Sequence, residues 1–238
     1  MNHTPFTLPA GNPHVRRVSS FEELVNTPFS GQVNALCWQR SLPGDYGEIV
    51  DLLATSEDIT SLDEELLRAL PVSPAGRAAI EQMLQDHALP RDHGLQPSLD
   101  CIRHYPREEE PGIVPIDVYS YHADSATTTA DTYLCTYHGP TSEGLRNDEV
   151  RRCVDIPEVR AALLKRYGGP EGDGFLEFLH DHCYDLHYEA LPGVQPFAFG
   201  QGNLWRIAIE CPDSPVLPCI HRAPENSPGL PPRLLLIS

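Results

Sequence analysis

Apolar and polar positions alternate over "VNALCWQR" (33–40), with Val33, Ala35, Cys37 and Gln39 on one side and Asn34, Leu36, Trp38 and Arg40 on the other. Period-two alternation predicts a strand. A helical period follows. Residues 45–55 ("DYGEIVDLLAT") put Ile49, Leu52 and Leu53 on one stripe. Ser61 with Glu64 makes a capping box that opens a helix over 62–70. "SPAGRAAIEQMLQDH" begins with a Ser73 cap and Pro74 at the first helical position.

After about residue 95 the texture changes. "PIDVYSYHAD", "TYLCTYHGP", "NLWRIAIE", "PVLPCIHRAP" and "PRLLLIS" are short β-branched or aromatic runs bounded by Gly, Pro and Asp. Two helices interrupt them, one over 157–167 capped by Asp155 and one over 174–188 capped by Asp173. The pattern predicts an α+β protein. Residues 1–20 are a flexible leader and 21–238 a single domain, with 21–94 mainly a helical layer. Residues 95–238 form a β-rich core with a helical insert at about 155–188. Short strands with long Pro-rich connections fit a jelly roll better than a parallel α/β sheet.

Composition narrows the function classes. In 238 residues, 40% are hydrophobic and 21% charged, enough to bury a core. The formal net charge of −17 argues against nucleic-acid or anionic-membrane binding, which reward clustered Lys and Arg. The start, "MNHTPFTLPAGNPHVRR", has no apolar export segment, and no apolar run reaches membrane-spanning length. Seven cysteines with no C-x-x-C pair predict reduced thiols and a cytoplasmic location. No nucleophile elbow, P-loop or dinucleotide fingerprint occurs.

The chemistry lies in "YSYHADSATTTADTYLCTYHGPTSEGL" (119–145). Residues i and i+2 of a strand point the same way, so His122 and Asp124 present an imidazole and a carboxylate together, about 7 Å apart at Cα. Such a pair is a metal corner, though strand ends also carry it as a plain polar pair. His221 in "PCIHRAP", 99 residues after His122, is the candidate third ligand. Two His and one carboxylate form the facial set used for non-haem Fe(II), with open positions for oxygen and an oxo-acid. On the last strand Arg233 alternates inward with Leu235 and Ile237. It must meet a carboxylate there, from a ligand or from a protein residue such as Asp131. Arg222 faces the other way in an extended chain and ranks second as an anchor. Tyr133 and Tyr137 offer hydroxyls to an oxo-acid or are half-buried core.

A second cluster sits in "FLEFLHDHCYDLHYE" (175–189). His180, Cys183 and His187 share a face if the segment is helical, which would suit Zn(II). The same spacing fits an ordinary apolar stripe of Phe175, Phe178, Leu179, Cys183 and Leu186, with His182 buried within it.

The order His-x-Asp, distant His, then Arg opening the final strand resembles the 2-oxoglutarate/Fe(II) dioxygenase superfamily. More narrowly, "CTYHGPTSEGL" and "CIHRAPENSPGLPPRLLLIS" are similar to hallmark segments of an uncharacterised bacterial family, domain of unknown function eighteen-twenty-six. That family reads nearly "CTYRGPGTEWL" and "VHRSP…RRLLL", with an early W-x-R like Trp38-Gln39-Arg40. The likeness spans roughly 31–238. It departs at Thr141-Ser142-Glu143-Gly144, where Gly-Thr-Glu-Trp is preferred, and at Thr132, where Arg is common. The resemblance implies a double-stranded β-helix (jelly-roll, cupin-like) core. It also implies Fe(II) on His122, Asp124 and His221, and 2-oxoglutarate bound by Arg233 with help from Tyr133. The expected partners are O2 and a small molecule, an amino acid or derivative by fold analogy. Two other classes compete: a non-catalytic zinc- or metal-binding protein using the same triad or the 180–187 cluster, and a cupin-like small-ligand binder on the same fold.

Overall fold

Alternation along β2 (Ala35–Trp38) sorts its side chains into two environments. Ala35 and Cys37 pack with Leu134, Phe197, Trp205 and Ile207, whereas Leu36 and Trp38 pack against helical residues. A computed structural model describes residues 11–53, 57–107, 112–225 and 229–238, and its strands form two sheets. The first runs β1 (Val15–Val18), β2, β11 (Leu204–Ala208), β6 (Asp131–His138), β13 (Arg233–Ile237), β4 (Ser98–Ile102) and β3 (Ile59–Ser61). The second runs β10 (Phe197–Ala198), β7 (Glu143–Leu145), β12 (Ile220–Arg222), β5 (Tyr121–His122), β9 (His187–Ala190) and β8 (Val150–Arg152). Among the described strands, only β1 and β2 pair in parallel.

The chain passes repeatedly between the sheets. Strands β4, β6, β11 and β13 belong to the first and β5, β7, β10 and β12 to the second, and the chain switches sheet at each step among them except between β7 and β10. Between the sheets lies the cluster of Ala35, Cys37, Leu134, Phe199, Trp205 and Ile207. The other face of the first sheet is covered by α1 (Phe21–Asn26), α2 (Tyr46–Leu53), α3 (Glu64–Ala69) and α4 (Pro74–Arg91). Leu24, Ile49, Leu67, Ile80 and Met83 from these helices are fully buried there.

Local chemistry sets the helix ends. Ser73 caps α4, its Oγ accepting from Gly76 N at 3.2 Å, with Pro74 in the first turn. The start of α3 differs from expectation: the cap is Asp63, which accepts from Leu66 N at 2.7 Å. Ser61 is instead held in β3 and donates to Asp100 Oδ1 across the ladder at 2.8 Å. One buried ion pair joins the helical layer to the first sheet. Arg40, just past β2, donates from both terminal nitrogens to Asp86 of α4, each at 2.7 Å. Tyr137 OH at 2.9 Å and Gln82 Nε2 at 3.0 Å also donate to that carboxylate.

Further expectations need correction. Residues 11–20 are not a loose leader, because Val15–Val18 pairs with β2 as an edge strand; residues 1–10 lie outside the described residues. The second inserted helix does not reach 188. Helix α5 (Pro157–Tyr167) has the expected span, though its cap is Ile156 rather than Asp155. Helix α6 (Asp173–Asp181) starts after Gly172 rather than being capped by Asp173, and ends at the exposed His182. Cys183 adopts φ 57, a left-handed conformation that breaks the helix. After a short 3-10 turn the chain pairs as β9 with β5 and β8. The apolar spacing continued helically beyond 181, but strand pairing decided the backbone. No described helix is long and apolar enough to cross a membrane.

Candidate metal centre

His122 and His221 are direct antiparallel partners across β5 and β12, so both imidazoles leave the same face of the second sheet. Their ring centroids are 4.7 Å apart. Asp124 follows β5, its carbonyl accepting from Glu210 N at 2.8 Å. The two histidine Nε2 atoms each lie 3.8 Å from a different oxygen of its carboxylate. One ligand atom from each of the three residues falls within 4.8 Å of the others. That spacing lets all three reach one cation with small side-chain adjustments.

Each ligand is oriented from behind. His122 Nδ1 donates to the Ser120 carbonyl at 2.8 Å, which leaves Nε2 unprotonated and inward. His221 Nδ1 faces the Cys219 carbonyl at 3.4 Å, and the Phe199 ring faces His221 with centroids 6.2 Å apart. Gly144, the β7 partner of His221, makes room for that packing, because a Cβ there would meet the Phe197 ring at 2.7 Å. Thr132 donates its hydroxyl to Asp124 Oδ2 at 2.6 Å.

Electrostatics favour the ligand forms of His122 and Asp124. Burial, reinforced by neighbouring His221, lowers the His122 pKa to about 4, so the ring is neutral near neutral pH. Burial alone would raise Asp124, but His221, the Thr132 hydrogen bond and His122 outweigh it and hold the carboxyl below its ordinary value. A neutral imidazole and an ionised carboxylate are the states in which such groups bind metals.

Arg233 opens β13 and is 3% exposed. Its neighbours are hydroxyls: Nη1 lies 3.1 Å from Tyr105 OH, and Nη2 lies 3.0 Å from Ser142 Oγ and 3.4 Å from Thr136 Oγ1. Nε is buried without a partner. Among the described residues no carboxylate lies within ion-pair distance, and burial lowers the pKa. Asp131, the protein partner that the sequence suggested, is taken by Arg206, whose Nε donates to it at 2.7 Å. Gly139 of the Gly-Pro turn lets the chain pass close to this point. It has φ 81, and a Cβ there would lie 2.6 Å from Pro232 O.

The structure brings His122, Asp124 and His221 together and leaves other candidates elsewhere. Tyr133 is not beside them: it lies in the helix-side cluster, its ring 6.2 Å from Phe21. Alternation explains the correction. Tyr133, Cys135 and Tyr137 share one face of β6, whereas Leu134 lies in the cluster between the sheets. Tyr137 is occupied by Asp86, and Arg222 by Glu143 at 2.6 Å. The proposed zinc face does not form. His180 is exposed in the last turn of α6 and Cys183 is exposed past its end, while His187 is buried on β9 beside His122, with ring centroids 5.8 Å apart. His182 is exposed rather than buried and stacks on Tyr184.

Sequence reasoning missed Thr132, Thr136, Ser142, Tyr105 and Ser120. Thr132 and Thr136 were within reach, since they occupy the other parity of the same strand as Tyr133. Tyr105 and Ser120 had no readable signal, because they sit in irregular segments whose paths only the folded chain defines. The chain matches no family model, no curated protein and no solved structure.

Proposed function

We propose that this protein is a non-haem Fe(II)- and 2-oxoglutarate-dependent oxygenase acting on a small molecule. One combination carries the reading: a two-His, one-carboxylate cluster on neighbouring strands, together with a buried guanidinium that has no carboxylate partner among the described residues. Burying an uncompensated charge is costly, so a site that retains one is suited to an anionic ligand. The strand order supports a double-stranded β-helix as the underlying fold. Strands β4, β13, β6 and β11 are neighbours in one sheet, and β5, β12, β7 and β10 in the other, as two interleaved four-stranded sets of a jelly roll would be.

His122 and His221, as neutral imidazoles, and Asp124, as the anionic ligand, would hold Fe(II) and leave positions open. Thr132 and the Ser120 carbonyl keep two of those ligands aimed. Arg233 would take the distal carboxylate of 2-oxoglutarate in a bidentate fork, with the hydroxyls of Ser142, Thr136 and Tyr105 rotating to donate to it. Ser142 lies just before β7 and two residues before Gly144, which pairs with His221, so one short stretch links one of the anion donors to the metal cluster. When bound, Fe(II) and the oxo-acid supply oxygen activation coupled to oxidation of a C–H bond. The chain's own work is to bind, orient and exclude water.

The test is metal analysis of protein purified without added metal, followed by anaerobic addition of Fe(II) and 2-oxoglutarate. A weak visible charge-transfer band, and release of succinate once oxygen is admitted, are expected. Tightly held stoichiometric zinc with no such band would assign the chain to the metal-binding class instead.

A further inference from the structure

Three imidazoles stand side by side on the second sheet, because His122 pairs directly with His221 on one side and with His187 on the other. His187 is 5% exposed, yet it is not among the ligand atoms that lie within 4.8 Å of one another. It is a neighbour of the metal cluster rather than part of it.

Its proton can be assigned from its partners. Ser120 Oγ lies 2.7 Å from the Asp117 carbonyl and 3.1 Å from the Pro115 carbonyl, neither of which can donate. A hydroxyl has one hydrogen, and these carbonyls claim it. Toward His187 Nδ1, 2.8 Å away, the same oxygen is therefore the acceptor, and Nδ1 carries the proton. Ser120 thus sorts two rings at once: its carbonyl takes the Nδ1–H of His122 and its hydroxyl takes that of His187. In the neutral ring this leaves His187 Nε2 as a lone-pair acceptor, with no hydrogen-bond partner among the described residues.

We propose that His187 is a specificity-determining residue that accepts, at Nε2, a hydrogen bond from an O–H or N–H group of the substrate held beside the metal. The assignment rests on the oxygenase reading above. It makes the substrate a compound with a hydroxyl, amide or ammonium donor close to the oxidised position, since a carboxylate there would face a lone pair.

The experiment uses 15N-labelled full-length protein loaded with Zn(II), with long-range proton–nitrogen correlations read for each histidine. The expected result is a protonated Nδ1 and a bare Nε2 on His187. The Nε2 resonance should shift progressively with methylammonium chloride and stay still with sodium acetate at equal ionic strength. Ser120→Ala, which removes the hydroxyl acceptor, should erode the tautomer preference while Zn(II) still loads. A protonated Nε2, or one that methylammonium does not move, overturns the proposal while the metal reading stands. Failure of Zn(II) to shift the His122 and His221 nitrogens would instead overturn the metal reading, and this assignment with it.

Discussion

Arg40 and Arg233 are both arginines sunk into the first sheet's surroundings, with 7% of the Arg40 side chain and 3% of Arg233 exposed. Their partners differ in kind. Arg40 has a carboxylate in bidentate register, a carbonyl for its Nε (Gly202 O at 2.9 Å) and the face of Trp38 at 4.6 Å. Arg233 has three hydroxyls, a bare Nε and no carboxylate among the described residues. The first is a completed structural joint between α4 and the first sheet. The second has the same donors without an anion among the described residues, the feature on which the proposed ligand site rests. Burial alone therefore does not separate a structural arginine from a functional one; the identity of the acceptors does.

The largest expected effect lies at the completed joint. Asp86→Ala strands Arg40 with its charge uncompensated and should lose about 3–5 kcal/mol of stability, read by urea denaturation. A loss below about 1 kcal/mol would show that water reaches Arg40 and would dissolve the contrast.

The opposite manipulation supplies the missing anion. Metal-loaded protein given 2-oxoglutarate at about one hundred times its dissociation constant should gain about 2.7 kcal/mol, seen as a raised melting temperature. Arg233→Met should abolish this gain, whereas an equal gain in that variant would remove Arg233 from the ligand site.

Arg233→Lys sharpens the comparison further. It keeps the charge but loses the fork, so it should bind Fe(II) normally while needing about tenfold more 2-oxoglutarate for the same decarboxylation rate. An unchanged requirement would mean that the carboxylate is held by hydroxyls alone.

The smallest effect is the most diagnostic. Without ligand, Arg233→Met should fall within about 1 kcal/mol of the parent or be more stable, because it removes a buried charge that no carboxylate among the described residues offsets. A cost like that of Asp86→Ala would make Arg233 a structural arginine after all.

Much of this was legible before folding was considered. Period-two alternation found β2, and short β-branched or aromatic runs bounded by Gly, Pro and Asp found β5, β6, β11, β12 and β13, because such side chains fit a strand buried on both faces. The i, i+2 relation put His122 and Asp124 on one side, and chain order singled out His221 and Arg233. Local signals failed where a distant partner outbid them. The segment 182–188 keeps a helical spacing, but β5 and β8 offered strand partners to the chain from His187 on, so His187 moved from an imagined zinc face to the side of His122. Tyr133 was assigned to the site although the parity of its own strand sends it to the helices.

By itself, then, the sequence determined which side chains are of a type that could ligate and which of several short runs suit strands, since both depend on side-chain type and local pattern. Only the tertiary structure decided that His122, Asp124 and His221 converge, that Asp131 belongs to Arg206, and that Asp86 completes Arg40 while no carboxylate among the described residues completes Arg233. The reason is physical. A ligand set or an ion pair is a distance between residues far apart in the chain, and strand pairing and burial set that distance with no trace in local sequence.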